Sequence, residues 1–309
     1  MSDLSRAGEF WDREVKTPVH SSWMEDHRVR MRINWMIGGS EPLWPVQWLQ
    51  KLTGHRTFDR ALSIGCGTGP LERDLIANNI CRNIDAFDGA TFALHAARQA
   101  ADAAGIGDRV HYFASDFNRP ALPRNRYDIV FFHQSLHHVG KLEKLYRAVL
   151  QALKPGGYLF LDEFIGPSRH EWDPSRLAPY QAVHDTIPLE LRTYHVIPMP
   201  VQPDDPSEAI RSAEILEQMK IGFDVEAMRG YGGNLLSVLY PCLKWQEAPD
   251  ELVQHLMALE DERLRKEQHF YAVVLARPAK GLRRLYALCR WFFEPKWKRV
   301  KVEIRDFFR

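Results

Sequence analysis

Residues 61–71 read ALSIGCGTGPL, an apolar strand-like run followed by a glycine-rich turn and the start of a helix. Glycine stands at positions 65, 67 and 69, where a sharp backbone turn and a close ligand approach both favour a residue without a Cβ atom. The first N–H groups of the following helix are free to bind a ligand. Pro70 stands where the dinucleotide fingerprint GxGxxG requires its last glycine, and proline suits the first turn of a helix. The stretch therefore predicts a cofactor loop that differs from the nicotinamide type.

The pattern on either side of this loop indicates the fold class. Short apolar runs alternate with amphipathic stretches, and two more strand-like runs occur later in the chain. We predict strands at Ala61–Ile64, Asn83–Phe87, Val110–Ala114, Tyr127–Phe132, Tyr158–Leu161, Phe223–Met228 and His269–Leu275. Helices are predicted at Leu71–Asn79, Thr91–Ala104 and Leu142–Leu153. This order is typical of an α/β fold with a doubly wound, mostly parallel sheet.

The segments around this core differ from it in composition. We divide the chain into a helical N-terminal cap at 1–58, a cofactor-binding α/β core at 59–165, a helical lid insertion at 166–221, remaining core strands with a helical insertion at 222–279 and a basic amphipathic tail at 280–309. The lid prediction depends on two helix-like stretches, Leu177–Thr186 and Glu208–Met219. The tail has apolar residues at helical spacing among many basic ones, so it predicts either a helix packed on the core or a peripheral contact with an anionic membrane surface.

The overall composition limits the possible partners. Among 309 residues, 41 basic and 40 acidic side chains give a formal charge of +1, which argues against a nucleic-acid binder. Four cysteines lie far apart without a CxxC motif, as expected for reduced thiols with no zinc site. The first residues lack the apolar run of a secretory signal, and no stretch reaches the roughly 18 apolar residues of a spanning helix. We expect a cytoplasmic protein.

An acidic residue ends the second predicted strand. Asp88 lies 19 residues after Gly69, where a carboxylate can accept hydrogen bonds from both ribose hydroxyls of an adenosine cofactor. Asp85 is the weaker candidate because it falls within the strand. Turn chemistry offers a second explanation, since an aspartate before Gly89 is a common turn residue.

Residues 61–165 resemble, in the order of their motifs, the class I S-adenosylmethionine-dependent methyltransferases. The resemblance implies S-adenosyl-L-methionine as the cofactor, with its amino-acid part against Gly65, Cys66, Gly67 and Gly69 and its ammonium group held by Glu72 or neighbouring groups. Asp116 and Phe117 match a family pattern in which an acidic residue accepts from the adenine amino group and an apolar residue lies beside the ring. Taken alone, an aspartate such as Asp116 is more often a turn or cap residue.

Three histidines follow the fourth predicted strand, at the edge where ligands of open α/β folds bind. If the acceptor is a hydroxyl, a positioned base must take its proton. We predict His137 as this base and His133, which is also placed beside the cofactor, as the second choice. Glu163, after the fifth strand, is a third candidate. A Leu-His-His element also occurs in the family without an established catalytic part. Because Asp162 and Glu163 are adjacent in a strand and point to opposite faces, no metal ion is predicted.

Residues 162–240 are more loosely similar to a bacterial methyltransferase group often encountered with glycan-building enzymes. The resemblance implies a polar substrate pocket lined by Glu208, Arg211 and Tyr231. The residues alone also allow a simpler explanation, in which residues 205–208 start a helix and Arg211 pairs with a glutamate one turn away.

We therefore predict an enzyme that methylates a hydroxyl of a sugar or glycan. The alternative is a small-molecule O- or N-methyltransferase of natural-product metabolism. A third possibility is a non-catalytic nucleotide-binding module. A nucleic-acid methyltransferase is disfavoured, because the Asn/Asp-Pro-Pro-aromatic signature of base amino-methylating enzymes is absent after the fourth strand.

Overall fold

A mixed seven-stranded sheet forms the centre of the molecule. The computed structural model describes residues 10, 12–13, 22–202 and 204–293. The strands are β1 (Phe58–Ile64), β2 (Cys81–Asp88), β3 (Val110–Ala114), β4 (Tyr127–His133), β5 (Leu153–Phe164), β6 (Phe223–Gly230) and β7 (Tyr271–Pro278). Their order is β3-β2-β1-β4-β5-β7-β6; the first five are parallel, and β7 is antiparallel to both β5 and β6. The predicted doubly wound, mostly parallel α/β fold is confirmed.

Helices surround the sheet, and some of them precede its first strand in the sequence. They are α1 (His27–Gly38), α2 (Pro45–Leu52), α3 (Pro70–Ala77), α4 (Thr91–Ala103), α5 (Leu142–Ala152), α6 (Pro174–His184), α7 (Ile215–Gly222), α8 (Leu236–Leu239), α9 (Asp250–Leu264) and α10 (281–293). Helix α1 is capped by Asp26, whose carboxylate accepts a hydrogen bond from the Arg28 N–H. None of the helices in the described part of the chain combines the length and the apolar character needed to cross a bilayer.

The buried core consists of two apolar clusters, and alternate strand residues belong to different clusters. In β4, Ile129 and Phe131 belong to one cluster, whereas Val130 and Phe132 belong to the other. This alternation follows from the two-residue period of a strand and explains the near-continuous apolar runs in the sequence, because both faces of a parallel sheet are covered.

The parallel strands end together, and this edge carries the polar residues of interest. His133 at the end of β4 is the register partner of Asp162 in β5. The glycine loop follows β1 and Asp88 ends β2. The topology therefore gathers four of the sequence-predicted segments at one edge.

One helix prediction is wrong. The stretch Glu208–Met219 was expected to be helical, but the helix begins only at Ile215. The Asp205 carboxylate instead accepts hydrogen bonds from the Ser207 N–H at 2.8 Å and the Ser207 hydroxyl at 2.6 Å. Ala209 then adopts a left-handed backbone conformation with φ of +47°. These local bonds form a turn, which competes with a helix start.

Helix α10 docks through a face other than the predicted apolar stripe. Trp291 is 1% exposed and stacks on Tyr146 with ring centroids 6.0 Å apart. The stripe residues of the described helix remain exposed, namely Leu282, Leu285, Tyr286, Cys289, Phe292 and Phe293. The rest of the predicted tail, residues 294–309, lies outside the described residues.

Candidate active site

A cavity of about 730 Å³ opens at the carboxyl edge of the parallel strands. One side is formed by the glycine loop and the ends of β2, β3 and β4. The other side is formed by Pro206, Ser207 and Ile210 from the segment between β5 and α7. This placement agrees with the rule that open α/β sheets bind ligands beyond the carboxyl ends of their strands.

The three loop glycines are required for different reasons. All have positive φ angles, +76° at Gly65, +52° at Gly67 and +76° at Gly69. A Cβ atom at Gly65 would lie 2.3 Å from the Ser135 Cβ, and one at Gly69 would lie 2.4 Å from the Tyr112 hydroxyl oxygen. At Gly67 a Cβ atom would meet no atom within 4 Å. Gly65 and Gly69 therefore allow close packing, whereas Gly67 faces open space in the cavity.

Asp88 lies in the cavity wall and is fixed by the loop. Its two carboxylate oxygens accept hydrogen bonds from the Gly67 N–H at 2.9 Å and the Ala90 N–H at 2.8 Å. Burial raises the pKa of Asp88, and these backbone donors act in the opposite direction. Each carboxylate oxygen can still accept another hydrogen bond. The position fits the ribose role predicted for it.

Glu72 is fully buried behind the loop and also lines the cavity. Among the described residues, neither of its carboxylate oxygens has a hydrogen-bond partner. Burial raises the pKa of Glu72 to about 7, although the nearby Ser63 hydroxyl acts to lower it. A buried acceptor without a donor is unfavourable on its own, so this carboxylate is well suited to receive a cationic ligand group.

Asp116 and Phe117 line the cavity beyond β3, as predicted. The Asp116 carboxylate accepts a hydrogen bond of 2.7 Å from the Asn118 N–H, which also matches the turn explanation. Phe117 packs against Phe87 with ring centroids 5.7 Å apart. The pair therefore combines a fixed acceptor with a flat apolar surface in the cavity wall.

His133 also lines the cavity, and an acidic residue orients its ring. Its Nδ1 lies 3.0 Å from the Asp162 Oδ2, and 44% of its side chain is exposed. The other Asp162 oxygen accepts a hydrogen bond of 2.5 Å from Tyr231. Tyr231, expected to bind substrate, is thus buried behind the cavity and positions Asp162. The sequence analysis missed this role of Asp162. The polar residues at the ends of the neighbouring strands β4 and β5 could have indicated that His133 and Asp162 lie side by side.

His137 and Glu163 form a second pair, set back from the cavity. The His137 Nδ1 lies 2.9 Å from the Glu163 Oε2. The other Glu163 oxygen accepts the backbone N–H groups of Ser135 and Leu136, and the side chain is fully buried. These contacts favour a positioning role for Glu163 over the predicted role as a base. Burial lowers the pKa of His137, but Glu208 and Glu163 outweigh this effect and raise it to about 9.

The predicted substrate residues Glu208 and Arg211 have different surroundings. Glu208 is partly exposed and approaches the His137 and His138 rings. Arg211 pairs with both Glu143 and Glu214 and also donates to the Gly140 carbonyl. Because its guanidinium is occupied in this way, Arg211 anchors the segment to α5 and is a poor candidate for binding an acceptor. The simpler explanation, pairing with Glu214, describes it better.

The core of the chain matches a known family. Residues 62–159 match the family model described as "Methyltransferase domain". This part of the chain is similar to methyltransferase domains. The match supports a class I methyltransferase with S-adenosylmethionine as its cofactor. The observed cavity fits this cofactor, because an open glycine position, a carboxylate fixed in the cavity wall and a buried carboxylate without a hydrogen-bond partner among the described residues occur together.

Curated relatives align with only part of the chain. The sterol 24-C-methyltransferase of Yarrowia lipolytica is 29% identical over 106 residues, which are 34% of this chain and 28% of that protein. The ubiquinone/menaquinone biosynthesis C-methyltransferase UbiE of Pseudomonas savastanoi is 31% identical over 136 residues, 43% of this chain and 52% of that protein. The chain thus spans about half or less of the length of these relatives.

Solved structures share the fold over nearly the whole chain. The geranyl diphosphate C-methyltransferase of Streptomyces coelicolor, in complex with Mg²⁺, geranyl diphosphate and S-adenosyl-L-homocysteine, superposes with a TM-score of 0.54 at 12% identity, covering 90% of this chain and 99% of that one. The [4+2]-cyclase SpnF gives a TM-score of 0.51 at 17% identity, covering 91% and 98%. At these identities the similarity supports the fold alone.

Proposed function

We propose that the chain transfers the methyl group of S-adenosylmethionine to a hydroxyl group of a sugar or glycan. The observation that carries this proposal is the His133–Asp162 pair at the cavity. An imidazole oriented by a carboxylate is the arrangement that a hydroxyl acceptor needs, because its proton must be removed as the oxygen forms its new bond.

His133 has the tautomer required of a base. With its Nδ1–H donated to Asp162, the Nε2 atom of the ring carries a lone pair. Burial acts to lower the pKa of His133, but the bond to Asp162 raises it above 6.5 overall. We therefore place the base at His133, which lines the cavity, rather than at His137, which is set back from it.

The proposed reaction is a direct displacement. S-adenosylmethionine supplies a methyl group activated by its positive sulfur, and the sulfur leaves as a neutral thioether. His133 takes the proton of the acceptor hydroxyl at Nε2, and the acceptor oxygen bonds to the methyl carbon. Asp162 stabilises the resulting imidazolium. The remaining contribution of the chain is to hold the two reactants in line, which can account for much of the rate.

The polar segment between β5 and α7 supports a sugar or glycan acceptor. Ser207 of this segment and Gln134, which follows β4, both line the cavity and offer hydrogen-bonding groups that suit a polyhydroxy compound. The relatives named above act on carbon according to their names, but each aligns with less than half of this chain. We propose that residues 166–221 form the lid over the acceptor.

A methyl-transfer assay tests the proposal. Purified protein is incubated with labelled S-adenosylmethionine and separate panels of nucleotide sugars, oligosaccharides, phenols and amines. We expect transfer to a sugar panel, a turnover more than a hundredfold lower in His133→Ala, and nearly unchanged cofactor affinity. Transfer only to phenols or amines would assign the chain to natural-product metabolism, and a full rate in His133→Ala would remove the base.

We also propose that the tail contacts an anionic membrane surface, which would suit a lipid-linked glycan. Residues 280–309 contain ten basic and three acidic side chains. On the described helix, Leu282, Leu285 and Tyr286 are 85%, 60% and 57% exposed. An exposed apolar stripe beside basic residues favours the interface of an anionic bilayer.

Vesicle sedimentation tests this contact. The variant with Leu282, Leu285 and Tyr286 changed to serine is compared with wild type on phosphatidylglycerol vesicles. Leu189→Ser with Val196→Ser, which are 63% and 73% exposed elsewhere, is the matched control. We expect salt-sensitive binding that is lost only in the α10 variant. A wild-type chain that stays in the supernatant contradicts the contact.

A further inference from the structure

Two histidines and a glutamate converge next to the cavity. The Glu208 Oε2 lies 3.8 Å from the His137 Nε2 and 3.7 Å from the His138 Nε2. The three candidate ligand atoms all lie within 4.8 Å of one another. We propose that His137, His138 and Glu208 bind a divalent transition-metal ion such as Zn²⁺.

Each histidine ring is oriented by a contact of its Nδ1 atom, which leaves Nε2 for the metal ion. The His137 Nδ1 lies 2.9 Å from the Glu163 carboxylate. The His138 Nδ1 lies 3.1 Å from the Ser207 hydroxyl and 3.4 Å from the Asp205 carboxylate. Metal-binding histidines usually donate the second ring N–H to a carboxylate or another acceptor in this way, which fixes the tautomer and directs the remaining lone pair at the metal.

The two distances from Glu208 to the histidines are close to those of a bound site. Ligand atoms held about 2.1 Å from a tetrahedral zinc ion lie roughly 3.4 Å apart. The two distances to Glu208 exceed this value by a few tenths of an ångström. Glu208 is 30% exposed at its side chain and belongs to a turn rather than a helix, so it can close this gap.

The charges also favour a cation. Three carboxylates, those of Glu163, Asp205 and Glu208, surround the two imidazole rings within hydrogen-bonding or ion-pair distance. The two rings are themselves only 4.2 Å apart between centroids. Two imidazoles and one carboxylate form a ligand set that suits Zn²⁺ or Fe²⁺ better than Mg²⁺ or Ca²⁺, which prefer oxygen ligands.

Three protein ligands leave a coordination position open. His138 and its partner Ser207 both line the cavity, so this position is on the acceptor side. A metal ion there can bind an acceptor oxygen and lower the pKa of its hydroxyl group. This assignment of the open position rests on the proposed function, whereas metal binding itself does not.

Metal titration tests the site without any methyl transfer. Tag-free full-length protein is treated with a chelator, dialysed and titrated with Zn²⁺ by calorimetry and with Co²⁺ by visible absorption. We expect one ion per chain. Glu208→Gln and His138→Ala should each weaken binding more than tenfold and change the Co²⁺ spectrum, whereas His133→Gln, the histidine control, should retain one site.

Three results would overturn the metal site: no binding of either ion, binding that is unchanged in both ligand variants, or equal loss in the His133 control. The first would indicate that His137 and Glu208 form an ion pair completed by a proton. None of these outcomes depends on the acceptor assay. Failure of the metal site is therefore distinguishable from failure of the proposed methyl transfer, and circular dichroism of each variant checks that the chain has folded.

Discussion

Two single carboxylates of the cavity wall, Asp88 and Glu72, are the residues that we expect to hold the cofactor. Asp88 accepts two backbone N–H groups that fix its oxygens in the cavity wall. We expect Asp88→Ala to weaken S-adenosylmethionine binding about ten- to a hundredfold, since hydrogen bonds to a charged group contribute about 1.5–3 kcal/mol. Calorimetry of the folded variant measures this effect. Unchanged affinity would show that the ribose lies elsewhere.

We expect Glu72 to lower the stability of the cofactor-free fold and to strengthen cofactor binding. Its pKa is raised from 4.5 to about 7, so the folded state loses stability relative to the unfolded state as the pH rises from 4.5 to 7, and no such loss occurs below 4.5. We expect cofactor-free Glu72→Gln to be more stable than wild type at pH 8, by up to about 3 kcal/mol, but not at pH 4.5.

Urea denaturation at both pH values checks the Glu72 prediction. Glu217→Gln, at an exposed position of α7, serves as the control and should change little. The same Glu72 variant should bind S-adenosylmethionine more weakly, because the ammonium group loses its charged partner. A variant that is destabilised at pH 8 would contradict the unpaired state of this carboxylate.

At the scale of elements, two glycines of the same loop have different tasks: Gly69 allows close packing, and Gly67 faces the cavity. In Gly69→Ala the new methyl group would lie 2.4 Å from the Tyr112 oxygen at a φ of +76°, so we expect a loss of about 2 kcal/mol or more in unfolding free energy. Gly67→Ala meets no such clash, and its left-handed backbone costs about 1 kcal/mol. The Gly67→Ala variant should mainly lose cofactor affinity. Calorimetry measures this affinity after urea denaturation has confirmed that the variant is folded. Equal stability of both variants would contradict this division.

The elements most accurately predicted from the sequence are those with local signals. The strand–glycine–helix unit and the position of Asp88 at the end of β2 were predicted because strand period, turn chemistry and helix start agree within about 30 residues. The Glu208–Met219 helix failed because the Asp205 side chain satisfies the backbone in a turn. Arg211 was misassigned because its partner Glu143 lies 68 residues away. The His138–Glu208 contact depends on how the segment after β5 folds back, which no local pattern specifies.

At the scale of the molecule, α10 completes the core. Trp291 packs on Tyr146 and Phe223 and covers Gly222, where a Cβ atom would lie 2.3 Å from the indole. We expect Trp291→Ala to lower the free energy of unfolding by about 3 kcal/mol. Its indole N–H has no hydrogen-bond partner among the described residues, which keeps the loss at the lower end. Phe293→Ala, at 52% exposure, should cost less than about 1 kcal/mol in the same urea titration, and equal losses would contradict the docking.

The turn at residues 205–210 has a consequence for how this enzyme could diversify. It forms one side of the cavity, which we propose is the acceptor side, yet it lies outside the matched domain of residues 62–159 and outside every strand of the sheet. Insertions and substitutions in such a connection leave the sheet register and the cofactor loop untouched. We therefore expect substitutions in this turn to change acceptor preference while cofactor affinity stays constant. A chimera in which only this turn is replaced by the turn of a related chain should methylate the acceptor of that related chain.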